Sequence, residues 1–141
     1  MPSKNVQALT GLIQAFAEKN IDSIGNAYSE QSVLIDHARG ETVKGRAAVK
    51  ENWNMWAKAF PDGKIEEARF VDGGDTVGLY FVGRGTNDGP LGPMPSTGKK
   101  VALPYCSIFV FDSHSKIVEQ DDYWDQMGML VQLGHMQATQ K

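Results

Sequence analysis

Apolar residues first recur at a spacing of three and four, at Val6, Leu9, Leu12, Ile13, Phe16 and Ala17. That period places them on one face of a helix, predicted over about residues 5–19. Asn20 or Asp22 supplies a helix-starting side chain, so a second, short helix follows with Ile21, Ile24 and Tyr28 on its buried side. Residues 32–37 are rich in β-branched and aliphatic side chains and read as a strand. Ala38-Arg-Gly-Glu41 turns that strand toward a short partner around Thr42-Val43. Gly45 opens a third helix, roughly 46–60, with Ala48, Val49, Trp53, Trp56 and Phe60 on one face. Pro61-Asp62-Gly63 stops it by removing a backbone donor and supplying a turn.

From there the pattern changes to strands, at 64–71, 76–86, 101–111 and 116–124. Asp72-Gly-Gly-Asp75 and Asp112-Ser-His-Ser115 have the composition of hairpin turns. The outlier is 83–98, which holds five Gly and three Pro and is too long for a simple hairpin loop. It reads as a functional flap or an interface loop. Three helices followed by four long strands is an α+β order, in which one strongly curved, mainly antiparallel sheet wraps helices on a single face, with a short helix after it. Such a cone encloses a pocket suited to a small hydrophobic molecule.

Composition narrows the functional classes. The 141 residues are most simply one domain, 1–141, and neither a linker nor an internal repeat divides them. A net charge of -3 without a basic cluster argues against nucleic acid as a partner. No apolar run approaches the roughly 18 residues that span a bilayer, and the polar start is unlike a signal peptide, so no membrane partner and a cytoplasmic location are expected. The single cysteine, Cys106, fits a reducing compartment and reads as a small core residue rather than a nucleophile. His37, His114 and His135 are scattered, so neither a metal site nor a cofactor motif is expected, and Gly83-Arg-Gly85 with Gly89 lacks dinucleotide-binding spacing.

The chemistry concentrates near the C-terminus, where Asp121, Asp122 and Asp125 stand among Tyr123 and Trp124. Strand alternation puts Val118, Gln120, Asp122 and Trp124 on one face and Ile117, Glu119, Asp121 and Tyr123 on the other. Both faces are mixed, so alternation leaves open which carboxylate points inward; the bland reading is solvated or capping aspartates. On the preceding strand, Tyr105 and Ser107 can offer hydroxyl groups to the same concavity, and Asp36, His37, Trp53 and Trp124 are further pocket candidates. A carboxylate in an aromatic pocket loses hydration, and its pKa rises toward the range useful for proton transfer.

Several segments, taken in order, carry a resemblance. They are Gly45-Arg-Ala-Ala-Val49 with Trp53, Ala59-Phe-Pro-Asp62, Gly85-Thr86 with Gly89, Pro95-Ser-Thr-Gly98, and Lys116-Ile117 with Asp122, Asp125 and Gln132-Leu-Gly134. With them the chain resembles the SnoaL-like polyketide cyclases, a branch of the NTF2-like superfamily, over nearly its full length. The resemblance implies an α+β cone, a homodimer through the open face of the sheet, and a cofactor-free pocket. It also implies ring closure by intramolecular aldol condensation, with an aspartate of the last strand as acid/base. Aligned back from Gln132-Leu-Gly134, that aspartate is Asp122, and Asp125 matches a second acidic position. Ser107 stands where the cyclases carry a pocket histidine. Compared with the ketosteroid isomerases, Asp36 falls near the catalytic base, while Leu12 stands nearest their oxyanion-donating tyrosine. The expected function is acid/base chemistry on a hydrophobic carbonyl or polycyclic substrate through Asp122. The alternative is a non-catalytic small-molecule-binding or dimerisation module.

Overall fold

A computed structural model describes residues 2–137. The chain opens with helix α1, Lys4–Ala17, capped by the Ser3 hydroxyl, which accepts from the Val6 N–H. The apolar stripe behaves as its period requires, burying Val6, Leu9, Leu12, Ala15 and Phe16. Helix α2, Ile21–Asn26, starts at Asn20, whose side chain accepts from the Ser23 N–H. Strand β1 then spans Tyr28–Asp36, beginning four residues before the expected strand at 32. Tyr28 therefore belongs to the sheet and not to the helix. It pairs with Ile117 of a strand far along the chain, and its phenol is fully buried, so a tertiary contact overrides local periodicity.

Strand β2, Glu41–Lys44, returns antiparallel to β1, and Gly45 at φ 90° admits helix α3, Arg46–Ala59. Strands β3, Lys64–Asp72; β4, Thr76–Thr86; β5, Lys100–Phe111; and β6, Ile117–Trp124, follow, and helix α4, Gln126–Leu133, is the last element among the described residues. The six strands lie in the order β2-β1-β6-β5-β4-β3, with β1 and β6 parallel and every other neighbour antiparallel. The long-range parallel pair brings Asp36 directly beside Asp122.

The sheet curves without closing because its ladders are interrupted. Register shifts occur between Glu66 and Arg69 on β3, where Glu67 adopts φ 56°, and between Val110 and Phe111 opposite β6. Each extra residue bends its strand and increases the local twist. The second shift also revises the simple alternation expected for β6. Ile117 turns inward together with Gln120 and Asp122, because the bulge changes parity between them. Cys106 departs from its expected place in the core. It is half-buried on the outer face, between Tyr80 and Tyr123 of the neighbouring strands.

α1 and α3 pack on the concave face around Leu9, Leu12, Val49, Leu79 and Phe109. α4 closes one end, burying Met129 and Leu133 with Ala59, Phe60, Val101 and Leu103. Gln132 fixes it to β5, its side chain accepting from the Ala102 N–H at 2.7 Å and donating to the Ala102 carbonyl at 3.1 Å. The Gly- and Pro-rich segment splits in two: its first four residues, from Gly83, finish β4, and 87–99 form a packed loop. Asn87 organises that loop, donating to the Gly89 carbonyl and accepting from the Thr97 N–H and hydroxyl. Leu91 is buried beneath it. At Gly89 a Cβ would lie 2.0 Å from the Lys58 carbonyl oxygen, so only glycine permits this approach to α3. Among the described residues, no helix is long and apolar enough to cross a membrane.

Candidate acid/base site

Between α1, α3 and the concave face of the sheet lies a cavity of about 650 Å³, counted to its open mouth. Its walls are aromatic, with Phe16, Trp53, Trp56, Phe60, Phe81 and Tyr105 among them. Among the described residues, the single carboxylate in its lining is Asp122, accompanied by the amides of Asn52 and Gln120. Lys64 and Arg84 also line it.

β6 aims Asp122 inward, where it is only 2% exposed. Oδ1 accepts from the Ser107 hydroxyl at 2.7 Å and from Gln120 Nε2 at 2.8 Å. Oδ2 meets the Tyr105 hydroxyl at 3.3 Å. Burial, aided by the nearby charge of Asp36, raises the Asp122 pKa from 3.8 to about 6, against the lowering effect of these three hydrogen bonds. Burial and then the charges of Asp122 and Asp36 push the Tyr105 phenol well above its usual range, so it remains a proton donor. Tyr105 is clamped between rings, stacking on Phe81 at 4.8 Å and on Trp124 at 5.8 Å.

The structure brings together Asp122, Tyr105, Ser107 and Trp53. Ser107 is buried behind the carboxylate and gives its proton to Asp122, so it is not the free hydroxyl expected to polarise a substrate oxygen. Asp36 and Trp124 lie one layer behind the cavity lining. The Asp36 carboxylate is fully buried and accepts from the Ala38 and Arg39 N–H groups, from Arg39 Nε at 2.8 Å and from Trp124 Nε1 at 3.0 Å. Four donors make it an anchor for the turn after β1. His37 is not brought to the cavity at all. It opens the turn just after β1 and faces the other way, its ring stacking on Tyr123 and pairing with Asp121 at 2.8 Å on the outer face. Asp125 caps α4, accepting from the Gly128 N–H at 2.8 Å.

Sequence reasoning missed three contributors. Gln120 had a signal, a polar residue two places before Asp122 on the same face. Tyr28 had none, because its partner Gln120 lies 92 residues away. Asn52 sits among apolar helix positions, and its Oδ1 accepts from Arg39 Nη2 at 2.8 Å. Among the described residues, no three His, Cys, Asp or Glu side chains gather as a metal site.

A curved sheet wrapped around helices is the arrangement the resemblance implied, and the family model for SnoaL-like polyketide cyclase matches residues 6–133. The chain belongs to this family. Solved SnoaL-like and ketosteroid isomerase-like structures share its fold. A protein from Jannaschia sp. assigned as a SnoaL-like polyketide cyclase superposes with TM-score 0.85 at 17% identity, covering 96% of this chain and 98% of that one. AclR of Streptomyces galilaeus, assigned as a hydroxylase, gives 0.84 at 22% identity over 98% of this chain and 85% of its own. IdmH of Streptomyces antibioticus, assigned as a polyketide cyclase, gives 0.78 at 22% identity over 94% and 99%. At such identities the likeness is one of fold. No curated protein matches the sequence. This member of the SnoaL-like family has an aromatic cavity with the buried carboxylate of Asp122 in its lining.

Proposed function

We propose that this SnoaL-like protein is a small enzyme that uses Asp122 for proton-transfer chemistry on an apolar carbonyl or polycyclic substrate, of the aldol-cyclase or isomerase type. The observation that carries the reading is a single carboxylate, raised to about pKa 6, in the lining of an aromatic cavity. At neutral pH that group is mostly ionised and can accept a proton from carbon next to a carbonyl. The Tyr105 hydroxyl donates to Asp122 Oδ2 at rest; once Oδ2 has taken the proton, that hydroxyl is free to turn to the oxygen on which enolate charge develops. In an aldol closure the enolate carbon then attacks a second carbonyl, and the proton on Asp122 passes to the resulting alkoxide. In an isomerisation the same proton returns to a different carbon. Both cycles leave the carboxylate as it began.

The test is ligand-dependent thermal unfolding with steroids, anthraquinones, aromatic polyketides and short-chain ketones, followed by turnover of every compound that binds. A ligand at about 100 times its dissociation constant stabilises by roughly 2.7 kcal/mol, a shift of several degrees here. Binding of planar, carbonyl-bearing compounds with turnover that depends on Asp122 is the expected result. Binding of the same compounds with no turnover would replace the enzyme by a ligand-binding module.

A homodimer through the outer face of the sheet belongs to the same reading. Val71, Tyr80 and Tyr123 are large apolar side chains exposed there. Sizing at several concentrations is expected to give twice the 15.5 kDa chain mass, and a constant monomer would exclude it.

A further inference from the structure

Along the cavity wall, with Tyr28 behind it, four side chains from three elements form one unbroken file of hydrogen bonds. Trp53 Nε1 on α3 donates to the Tyr28 hydroxyl on β1 at 2.9 Å. That hydroxyl bonds to Gln120 Oε1, and Gln120 Nε2 donates to Asp122 Oδ1 at 2.8 Å. Chemistry gives every link one sense. An indole N–H can only donate, so the Tyr28 oxygen accepts there and keeps its own proton for Gln120. The amide must then turn its oxygen to Tyr28 and its NH₂ to Asp122. The amide orientation is thus set from both ends, by the indole through Tyr28 and by a carboxylate that can only accept.

We propose that Trp53, Tyr28 and Gln120 are a positioning relay that holds Oδ1 of Asp122 as a permanent acceptor and leaves Oδ2 as the oxygen that takes and gives the proton. Oδ1 already receives two donors, Ser107 and Gln120. A proton on Oδ1 would require both to turn away. Ser107 can rotate about its C–O bond, but Gln120 cannot reverse without breaking its bond to Tyr28. Oδ2 has only the longer contact to Tyr105. The relay thus deepens the reading of Asp122 as the acid/base group, although its test needs neither substrate nor turnover.

The groups around Asp122 leave this titration legible. β1 contributes Asp36, paired with Arg39 of the following turn, and Tyr28; β5 contributes Tyr105 and, on its outer face, Cys106. The Tyr28 and Tyr105 phenols and the Cys106 thiol are all pushed upward, chiefly by burial, so they stay protonated through the acid range. α3 presents the neutral Asn52 and Trp53, and Lys64 and Arg84 line the cavity from β3 and β4.

The experiment is an NMR titration of the unliganded protein, following the Asp122 carboxyl carbon and the Gln120 side-chain amide together. In the wild type both are expected to move with one midpoint. In Tyr28→Phe the amide loses its lock and can turn its oxygen to the protonated Asp122, accepting from it and favouring that form, so the carboxyl midpoint should rise by about one pH unit. Trp53→Phe should raise it less, since Tyr28 keeps a proton for Gln120. A wild-type midpoint in Tyr28→Phe overturns the relay, as does a Gln120 amide insensitive to Asp122 in the wild type. The second observation decides the matter alone if Tyr28→Phe does not fold. Failure of the enzymatic reading would look different: the coupled titration would persist in a protein that shows no Asp122-dependent turnover.

Discussion

Asp122→Asn is expected to abolish turnover and, at neutral pH, to make the protein more stable. The catalytic half follows from the cavity, whose lining holds no second carboxylate among the described residues to take over the proton. General acid/base groups contribute on the order of 10²–10⁴ in rate, and a loss of that size should fall on kcat, with KM little changed. Wild-type turnover should also decline as pH falls through about 6, when the base becomes protonated.

The stability half has the opposite sign. The folded protein holds a proton on Asp122 up to about pH 6, whereas the unfolded chain releases it near 3.8. Native stability therefore falls as pH rises between those values and levels off above them. At pH 7 the ionised, buried carboxylate costs about 3 kcal/mol, using roughly 1.4 kcal/mol for each unit of pKa. Asparagine fits the same place without that cost. Its carbonyl oxygen accepts from Ser107 and Gln120, and its amide nitrogen meets the Tyr105 oxygen, which can accept. Thermal unfolding at pH 7 should show a midpoint several degrees higher in the variant, with the gain shrinking as pH falls toward 4. Unchanged turnover would remove Asp122 from the mechanism, and a less stable variant at pH 7 would show that the carboxylate is not strained by burial.

Arg39→Leu should be the most damaging single change near the site, even though Arg39 is absent from the cavity lining. Its guanidinium binds the buried Asp36 carboxylate at 2.8 Å and the Asn52 amide oxygen at 2.8 Å. Removing one partner of a buried ion pair leaves a charge with too few donors and costs about 3–5 kcal/mol. For a chain of this size that is a fall of roughly 10 °C or more in Tm. The double variant Asp36→Asn/Arg39→Leu should recover part of the loss, because it removes the stranded charge. A single variant within about 1 kcal/mol of wild type in urea unfolding would mean that the Asp36 carboxylate is satisfied without the guanidinium.

Helices α1 and α3 were legible because their stripes are long and their stops are chemical. Pro61 and Gly63 end α3 whatever surrounds it. Strand β4 was legible to the residue, since Asp72-Gly-Gly-Asp75 marks its start. The order of helices and strands, and with it the cone, followed from these local signals and from the resemblance. The beginning of β1 was not legible. Tyr28 sits at helical spacing from Ile21 and Ile24, and only pairing with Ile117 draws it into the sheet. The loop at 87–99 read as a flap because Gly and Pro mark irregular backbone, but composition says nothing of the buried Asn87 that ties it down.

By itself the sequence determined the fold class, the family resemblance and Asp122 as the leading carboxylate. These depend on short-range periodicity and on residues in fixed order along the chain. Only the tertiary structure decided which way the candidates face and what each is bonded to. A bulge set the parity of β6, a parallel pairing placed Asp36 behind the site as an anchored ion, and the turn after that strand put His37 on the outer surface. Burial, hydrogen-bond sense and pKa are properties of neighbours, and those of Asp122 come from positions 36, 105 and 107, with position 28 acting through Gln120. Such distances along the chain leave no local trace, which is why the chemistry of the site became readable only when the chain was closed upon itself.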